Sequence, residues 1–221
     1  MKKMSMVLLV VLALLSAVAA HAQQSGLNTV RFSNETGFEI AFLFFSPGDS
    51  DSWGPDLLGA GDTLRDGARI EFFLHYPDEC GTFDLMAIDT DGDSYLIWEY
   101  QICGGEPEDI ELTLDAFNGP APEMSFVELT LFNELPYQLL YLFLSPGDSE
   151  MWGVDYLSSA GVLTEGRSVS FLVPAAEDSV TYDLIGVDER SEIYSFAFDV
   201  DASEEEIAFP IEMTDLQEVS R

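Results

Sequence analysis

CGTFDLMAIDTDGDSYLIWEYQIC, residues 80–103, reads as two strands meeting at a turn. Apolar and turn-forming residues are arranged as a hairpin requires, and Asp91-Gly92 is a dipeptide that two-residue β-turns favour. With that turn, partners across the pair have numbers that sum to 183, which sets Cys80 opposite Cys103. Residues directly opposite in an antiparallel pair lie close enough for a disulfide, so the spacing predicts one here. Plain alternation from this turn leaves the two at a hydrogen-bonded pair, a conflict that a bulge in between removes. The same register brings Asp84 opposite Glu99, an unfavourable pairing unless water or a cation separates the charges, which marks the two as a candidate metal pair.

Short apolar runs bounded by turn residues continue on both sides of this hairpin. VRFSN, FEIAFLFFS and ARIEFFLH precede it and DIELTL follows. FVELTLFN, YQLLYLFLS, SVSFLVP, TYDLIGVD, IYSFAFDV and IAFPIEM then repeat the series. None sustains a helical period, so the expected class is all-β.

The two series keep step. Adding 99 to a position in the first finds its counterpart in the second from Asn34/Asn133 to Tyr95/Tyr194, and 11 of the 22 positions from Ser46 to Gly67 are identical. This predicts two tandem copies of a small antiparallel β-sandwich, residues 27–115 and 125–215. Residues 116–124, with Gly-Pro-Ala-Pro at their centre, are expected to be a short stiff linker. In the second copy Asp183 is expected to face Phe198, and Ser179 and Ala202 replace both cysteines together, as suits a structural disulfide.

The best-kept stretch is a loop, SPGDSDSWGPDLL at 46–58 and SPGDSEMWGVDYL at 145–157. The simplest reading is a folded corner, with Asp49 capping the following turn and the indoles lying over the sandwich edge. The functional reading makes Trp53 and Trp152 stacking faces for sugar rings, with Asp49, Asp56, Asp148 and Asp155 as hydrogen-bond acceptors or calcium ligands.

Residues 1–22 resemble an export signal: Lys2 and Lys3, an apolar stretch from Met6 to Ala19, then Ala20-His21-Ala22. Beyond it, six arginines oppose 41 acids, a formal charge of −35 with no lysine. Such a surface repels nucleic acid and anionic lipid and suits concentrated salt, where screening relieves the repulsion. No later segment is apolar enough to span a bilayer, and the expected location is periplasmic or secreted.

Catalytic patterns are scarce. His75 is the one histidine beyond residue 22, its counterpart is Pro174, and no nucleophile motif accompanies it. Asp89-Thr-Asp-Gly-Asp93 places acids on a turn but lacks the glycine and distal acid of an EF-hand, so it reads as a hairpin turn.

The pattern SPxxSxxWGxDxL, followed by Leu-x-x-Gly and [FY]-D-L, resembles a motif of uncharacterised small exported bacterial proteins. Ser46, Pro47, Ser50, Trp53, Gly54, Asp56, Leu58, Leu64, Gly67 and Asp84 carry it, as do their counterparts 99 residues on. The resemblance implies no activity. The reading that follows is an exported, acidic, non-catalytic binding or interaction module without a cofactor, meeting protein or glycan at the cell exterior. A calcium- or carbohydrate-binding tandem protein is the alternative, and an unrecognised hydrolase the third.

Overall fold

A computed structural model describes residues 27–76, 79–158, 161–175 and 179–217. The expected export segment lies outside the described residues. The first half contributes β1 (Leu27–Glu35), β2 (Ile40–Pro47), β3 (Arg69–His75), β4 (Cys80–Asp89), β5 (Asp93–Cys103), β6 (Glu108–Thr113) and β7 (Phe117–Pro120). The second contributes β8 (Ser125–Asn133), β9 (Leu139–Pro146), β10 (Gly153–Val154), β11 (Ser168–Ala175), β12 (Val180–Asp188), β13 (Ile193–Val200) and β14 (Glu206–Ile211). Among the described residues the helical pieces are two single 3-10 turns, Leu114–Ala116 and Met213–Asp215, and no helix is long and apolar enough to cross a membrane. The protein is all-β.

Four sheets form, in the orders β10-β3-β1-β6, β2-β4-β5-β7, β11-β8-β14 and β13-β12-β9. Within each half two sheets face each other. Val30, Phe32, Phe72 and Leu74 of one meet Leu43, Phe45, Phe83 and Leu85 of the other in a single buried cluster, and the Phe45 and Phe72 rings pack edge-on with centroids 5.3 Å apart. Alternation produces this directly, since Val30 and Phe32 on β1 point inward and Arg31 outward. One pairing departs from an antiparallel plan: β6 runs parallel to β1, as β14 does to β8. A parallel neighbour requires a crossover, and the chain makes one by passing through β4 and β5 of the facing sheet.

Pairings in the two halves correspond at an offset of 99. Phe32 lies opposite Ile70 and Ile110, and Leu131 opposite Val169 and Phe209. A buried amide fixes the same corner in both: Asn34 Nδ2 donates to the Phe38 and Leu64 carbonyls at 2.7 and 2.9 Å, and Asn133 Nδ2 to those of Tyr137 and Leu163 at 2.9 and 2.7 Å.

The disulfide Cys80–Cys103 is present, and the cysteines are opposite one another as the spacing predicted. The route to that register differs from a two-residue turn. Near the turn, Ile88 faces Ser94, leaving the three-residue loop Thr90–Gly92 with Gly92 at φ 86°. A bulge then inserts one residue, so that Trp98 and Glu99 together oppose Asp84, with Glu99 at φ 53°. The bulge restores the predicted pairing at the cysteines. The second half has no bulge here, so Asp183 faces Ala197, and it is Tyr182 that faces Phe198.

The expected linker is built into the first half. β7 pairs with β5, Ser94 opposite Gly119, and the segment that follows covers the outer face of β2 and β4. There Phe44, Met86 and Ile88 are buried beneath Ala121, Met124, Phe126 and Trp53. The physical reason is an outer sheet face too apolar to be left in water. The halves also share one core, since the main buried cluster runs from Val30 to Ile211 without a break.

Candidate functional site

The repeated loops join the halves. Each leaves its own sheet, turns at SPGDS and runs into the opposite half. Gly153–Val154, as β10, pairs with His75 and Leu74 of β3. The Asp155 N–H donates to the Phe73 carbonyl at 2.8 Å, and the Asp56 N–H to the Leu172 carbonyl at 2.8 Å. Tyr156 donates to the Pro55 carbonyl at 3.1 Å and Tyr182 to the Trp53 carbonyl at 2.8 Å, both bonds crossing between halves.

Of the four loop carboxylates singled out in the sequence, Asp49 and Asp148 bond across this junction, while Asp56 and Asp155 brace the loops within their own halves. Asp49 accepts from the Ser149 hydroxyl at 2.7 Å. Asp148 accepts from the Ser50 hydroxyl at 2.7 Å and the Asp51 N–H at 3.1 Å. The local cap expected of Asp49 is thus replaced by reciprocal caps across the junction. Local turn closure falls to serine, with the Ser50 and Ser149 hydroxyls accepting from the N–H groups of Ser52 and Met151. Asp56 and Asp155 are buried. Oδ1 of Asp56 accepts from Leu43 and Leu58 at 2.9 and 3.2 Å, and Oδ1 of Asp155 from Leu142 and Leu157 at 2.8 and 3.1 Å. Burial pushes both carboxyls up to about 6, against those backbone donors.

The two indoles differ. Trp152 lies flat on His75, centroids 4.0 Å apart and planes 21° from parallel, so both its neighbours and its position are those of a packed corner. Trp53 is half-buried between Phe44, at 6.4 Å, and Trp98, at 5.7 Å. Trp98 is 58% exposed. The two first-half indoles border a polar cleft of ≈ 250 Å³ whose other walls include Ser46, Asp51, Ser52 and Asp84. Its parts are held firmly: the Ser46 hydroxyl accepts from Gly54 N–H at 2.7 Å, fixing the loop beneath Trp53. The Glu99 N–H donates to Asp84 at 2.7 Å, fixing the bulge that displays Trp98. The same bond gives the Asp84 carboxylate a backbone donor, which eases the like-charge opposition expected with Glu99. Ala197 stands opposite Asp183 where the first half has Trp98 and Glu99 opposite Asp84, so this pair of indoles belongs to the first half alone.

Trp98 was not singled out by the sequence. Its signal was a large aromatic next to Glu99 at the place where two halves otherwise in step differ most in kind.

The acidic turn is structural. Asp89 accepts from the N–H groups of Asp91 and Asp93 and from the Tyr95 hydroxyl. Asp188 repeats this with Arg190, Glu192 and Tyr194. Burial opposes the Asp188 charge, but the Glu192 and Arg190 N–H groups and the Arg190 guanidinium outweigh it and hold the carboxyl below its ordinary range. Among the described residues no three His, Cys, Asp or Glu side chains converge as a metal cage. His75 ends β3, burial lowers its pKa, and its Nδ1 has no hydrogen-bond partner.

No family model matches the chain, and no curated protein does. Solved structures similar to it include the Bacillus anthracis TIE protein, 13% identical with TM-score 0.28, over 85% of this chain and 34% of that one. The chain thus spans about a third of that protein. A putative adhesin from Bacteroides ovatus is 8% identical with TM-score 0.23, over 86% of this chain and 92% of the adhesin. BcpA, the major pilin subunit of Bacillus cereus, is 9% identical with TM-score 0.17, over 84% and 69% of the two chains. Similarity at this level carries no functional argument.

Proposed function

We propose that the protein is an exported, non-catalytic binding module that holds a neutral glycan in the Trp53–Trp98 cleft. The observation that carries this is the exposed Trp98 indole standing 5.7 Å from Trp53 above a polar cleft. Two aromatic faces beside hydroxyl and carboxylate acceptors suit a pyranose, whose ring presents an apolar face and a rim of hydroxyl donors. A flat β-1,4-linked chain fits best, because its equatorial substituents leave the ring faces free to stack. Asp84 and Asp51 then accept from sugar hydroxyls. The formal charge of −33 disfavours uronic acid or sulfated polymers, so the partner is uncharged. Export agrees with the disulfide, a bond kept in oxidising compartments.

Calorimetric titration with cellohexaose and chitohexaose tests the proposal. At least one of the two binds saturably, and Trp98→Ala removes the heat without lowering the melting temperature by more than a degree or two. Absence of binding by both, or unchanged binding in Trp98→Ala, overturns it.

A further inference from the structure

Where the exchanged loops pass each other they leave a second cleft, of ≈ 340 Å³, bounded by Leu58, Ile70 and Phe72 of the first half and Val169 and Phe171 of the second. Asp56 and Asp155 also line it. These two acids occupy equivalent positions and bind equivalent backbone donors through Oδ1, yet their outer oxygens differ. Asp155 Oδ2 shares the Ser158 hydroxyl proton at 3.3 Å with the Asp155 carbonyl at 2.6 Å, and that hydroxyl accepts from the Phe73 N–H at 3.0 Å. Asp56 Oδ2 is buried with no hydrogen-bond partner, in a residue only 1% exposed.

The cause is one residue. Position 59, the counterpart of Ser158, is glycine at φ 82°, and the place its side chain would take is open space. The first half therefore lacks the hydroxyl that serves the second, and a buried acceptor is left without a donor, which is costly. The Gly59 N–H lies near enough to favour the carboxylate charge but makes no hydrogen bond to Oδ2, and the other groups facing Asp56 do not supply one. Asp62 on the same loop and Glu71 and Asp155 on the walls are all acidic, and the Tyr156 hydroxyl is committed to the Pro55 carbonyl. Among the described residues lining the cleft there is no Lys or Arg.

We propose that this cleft, separate from the glycan cleft, is a binding site for a small amphiphilic amine, whose ammonium donates to Asp56 Oδ2 and whose apolar body lies against Ile70, Phe72 and Phe171. An ammonium meets the missing donor and the acidic surroundings together, whereas an alcohol meets only the first and a carboxylate neither. Apolar walls with one convergent polar group are the usual make-up of a small-ligand site.

Benzylamine is the probe, with benzyl alcohol and benzoate as comparisons, titrated into the whole protein in 150 mM sodium chloride at pH 7.5. Benzylamine should bind at one saturable site, benzyl alcohol at least tenfold more weakly, and benzoate not at all. Asp56→Asn should weaken benzylamine about tenfold or more. Lowering the pH to 5 should weaken binding in the wild type, as Asp56 takes up a proton, and weaken it less in Asp56→Asn, where Asp155 is the buried acid of the cleft that still titrates. If Asp56→Asn does not fold, Ile70→Trp keeps the acid and fills the cleft, and it should abolish binding. Non-saturable uptake that vanishes with salt, equal affinity in the variants, or no uptake at millimolar concentration overturns the proposal. Each outcome is independent of cellohexaose or chitohexaose binding at Trp98.

Discussion

The Ser149 hydroxyl donates to the Asp49 carboxylate at 2.7 Å across the junction between the halves. Its mirror partner, Ser50 to Asp148, has the same length. The two SPGDS turns therefore cap one another, and the loops that follow deliver Val154, Tyr156 and Leu157 into a core that both halves build. Cutting the chain should not free two folded bodies. With a protease site introduced between Pro122 and Glu123, the nicked protein should elute as one species and part only in denaturant. Two separately folded fragments in dilute buffer would contradict the shared core.

Tyr156 is a buried crossing residue, 6% exposed with its hydroxyl on the Pro55 carbonyl. Tyr156→Phe keeps the ring and leaves that carbonyl unpaired, a loss of roughly 1–3 kcal/mol. Ser50→Ala, at the solvent end of the junction, should lose less than 1 kcal/mol by the usual cost of exposed polar pairs. Urea unfolding of both variants measures the difference, and equal losses would mean that the deep end of the junction contributes no more than the rim.

The disulfide closes a loop of sequence separation 23 in the first half only. Replacing Cys80 and Cys103 together by Ser should lower stability by roughly 3 kcal/mol, chiefly by freeing the unfolded chain. Urea unfolding with and without reductant checks this. The wild type should respond to reductant and the double variant should not.

The hairpin illustrates how far sequence alone reaches. Strand alternation and the cysteine spacing were legible because both depend on the local chain and on a simple register. The bulge at Trp98–Glu99 was hidden by compensation: a three-residue turn shifts the register one way, the bulge shifts it back, and the cysteines meet as though neither existed. Asp49 shows the other limit. Its residue type says that it caps a backbone or hydroxyl donor, but nothing local says that the donor lies 100 residues away in the opposite loop. The exchanged loops were invisible for the same reason, since an apolar Leu58 or Val154 is equally content in either half's core.

Asp56 and Asp155 make stability depend on pH in a stated direction. Burial raises both from 3.8 to about 6, so the folded state holds these protons more tightly than the unfolded chain does. Their stabilisation is fully present below about pH 4 and is lost as pH rises through about 6, by up to about 3 kcal/mol each. Asp62 and Tyr156 face Asp56, and Ser158 and Tyr141 lie near Asp155, with no cation offsetting either. In Asp56→Asn/Asp155→Asn the decline in melting temperature from pH 4 to pH 7 should be smaller than in the wild type. An unchanged decline would assign the pH dependence to the surface acids alone.

The surface acids have their own test. With a formal charge of −33, melting temperature should rise smoothly with sodium chloride, since at about 1 M the Debye length is about 3 Å and distant carboxylates cease to repel. In that salt, millimolar calcium should add little. A large, saturable rise with calcium, lost in Asp84→Asn, would instead assign a cation site to the Asp84–Glu99 bulge.

The chain has three tryptophans, Trp53, Trp98 and Trp152, so its indole N–H groups give three resolvable signals in a nitrogen-15 correlation spectrum. Titration with cellohexaose or chitohexaose, whichever binds, reads the Trp53–Trp98 cleft directly. The Trp98 signal should move most and Trp53 with it, both saturating together, while Trp152, stacked on His75, stays in place. Movement of Trp152 with Trp98 unmoved, or no movement of any indole at millimolar sugar, would contradict the assignment of function to the Trp53–Trp98 cleft.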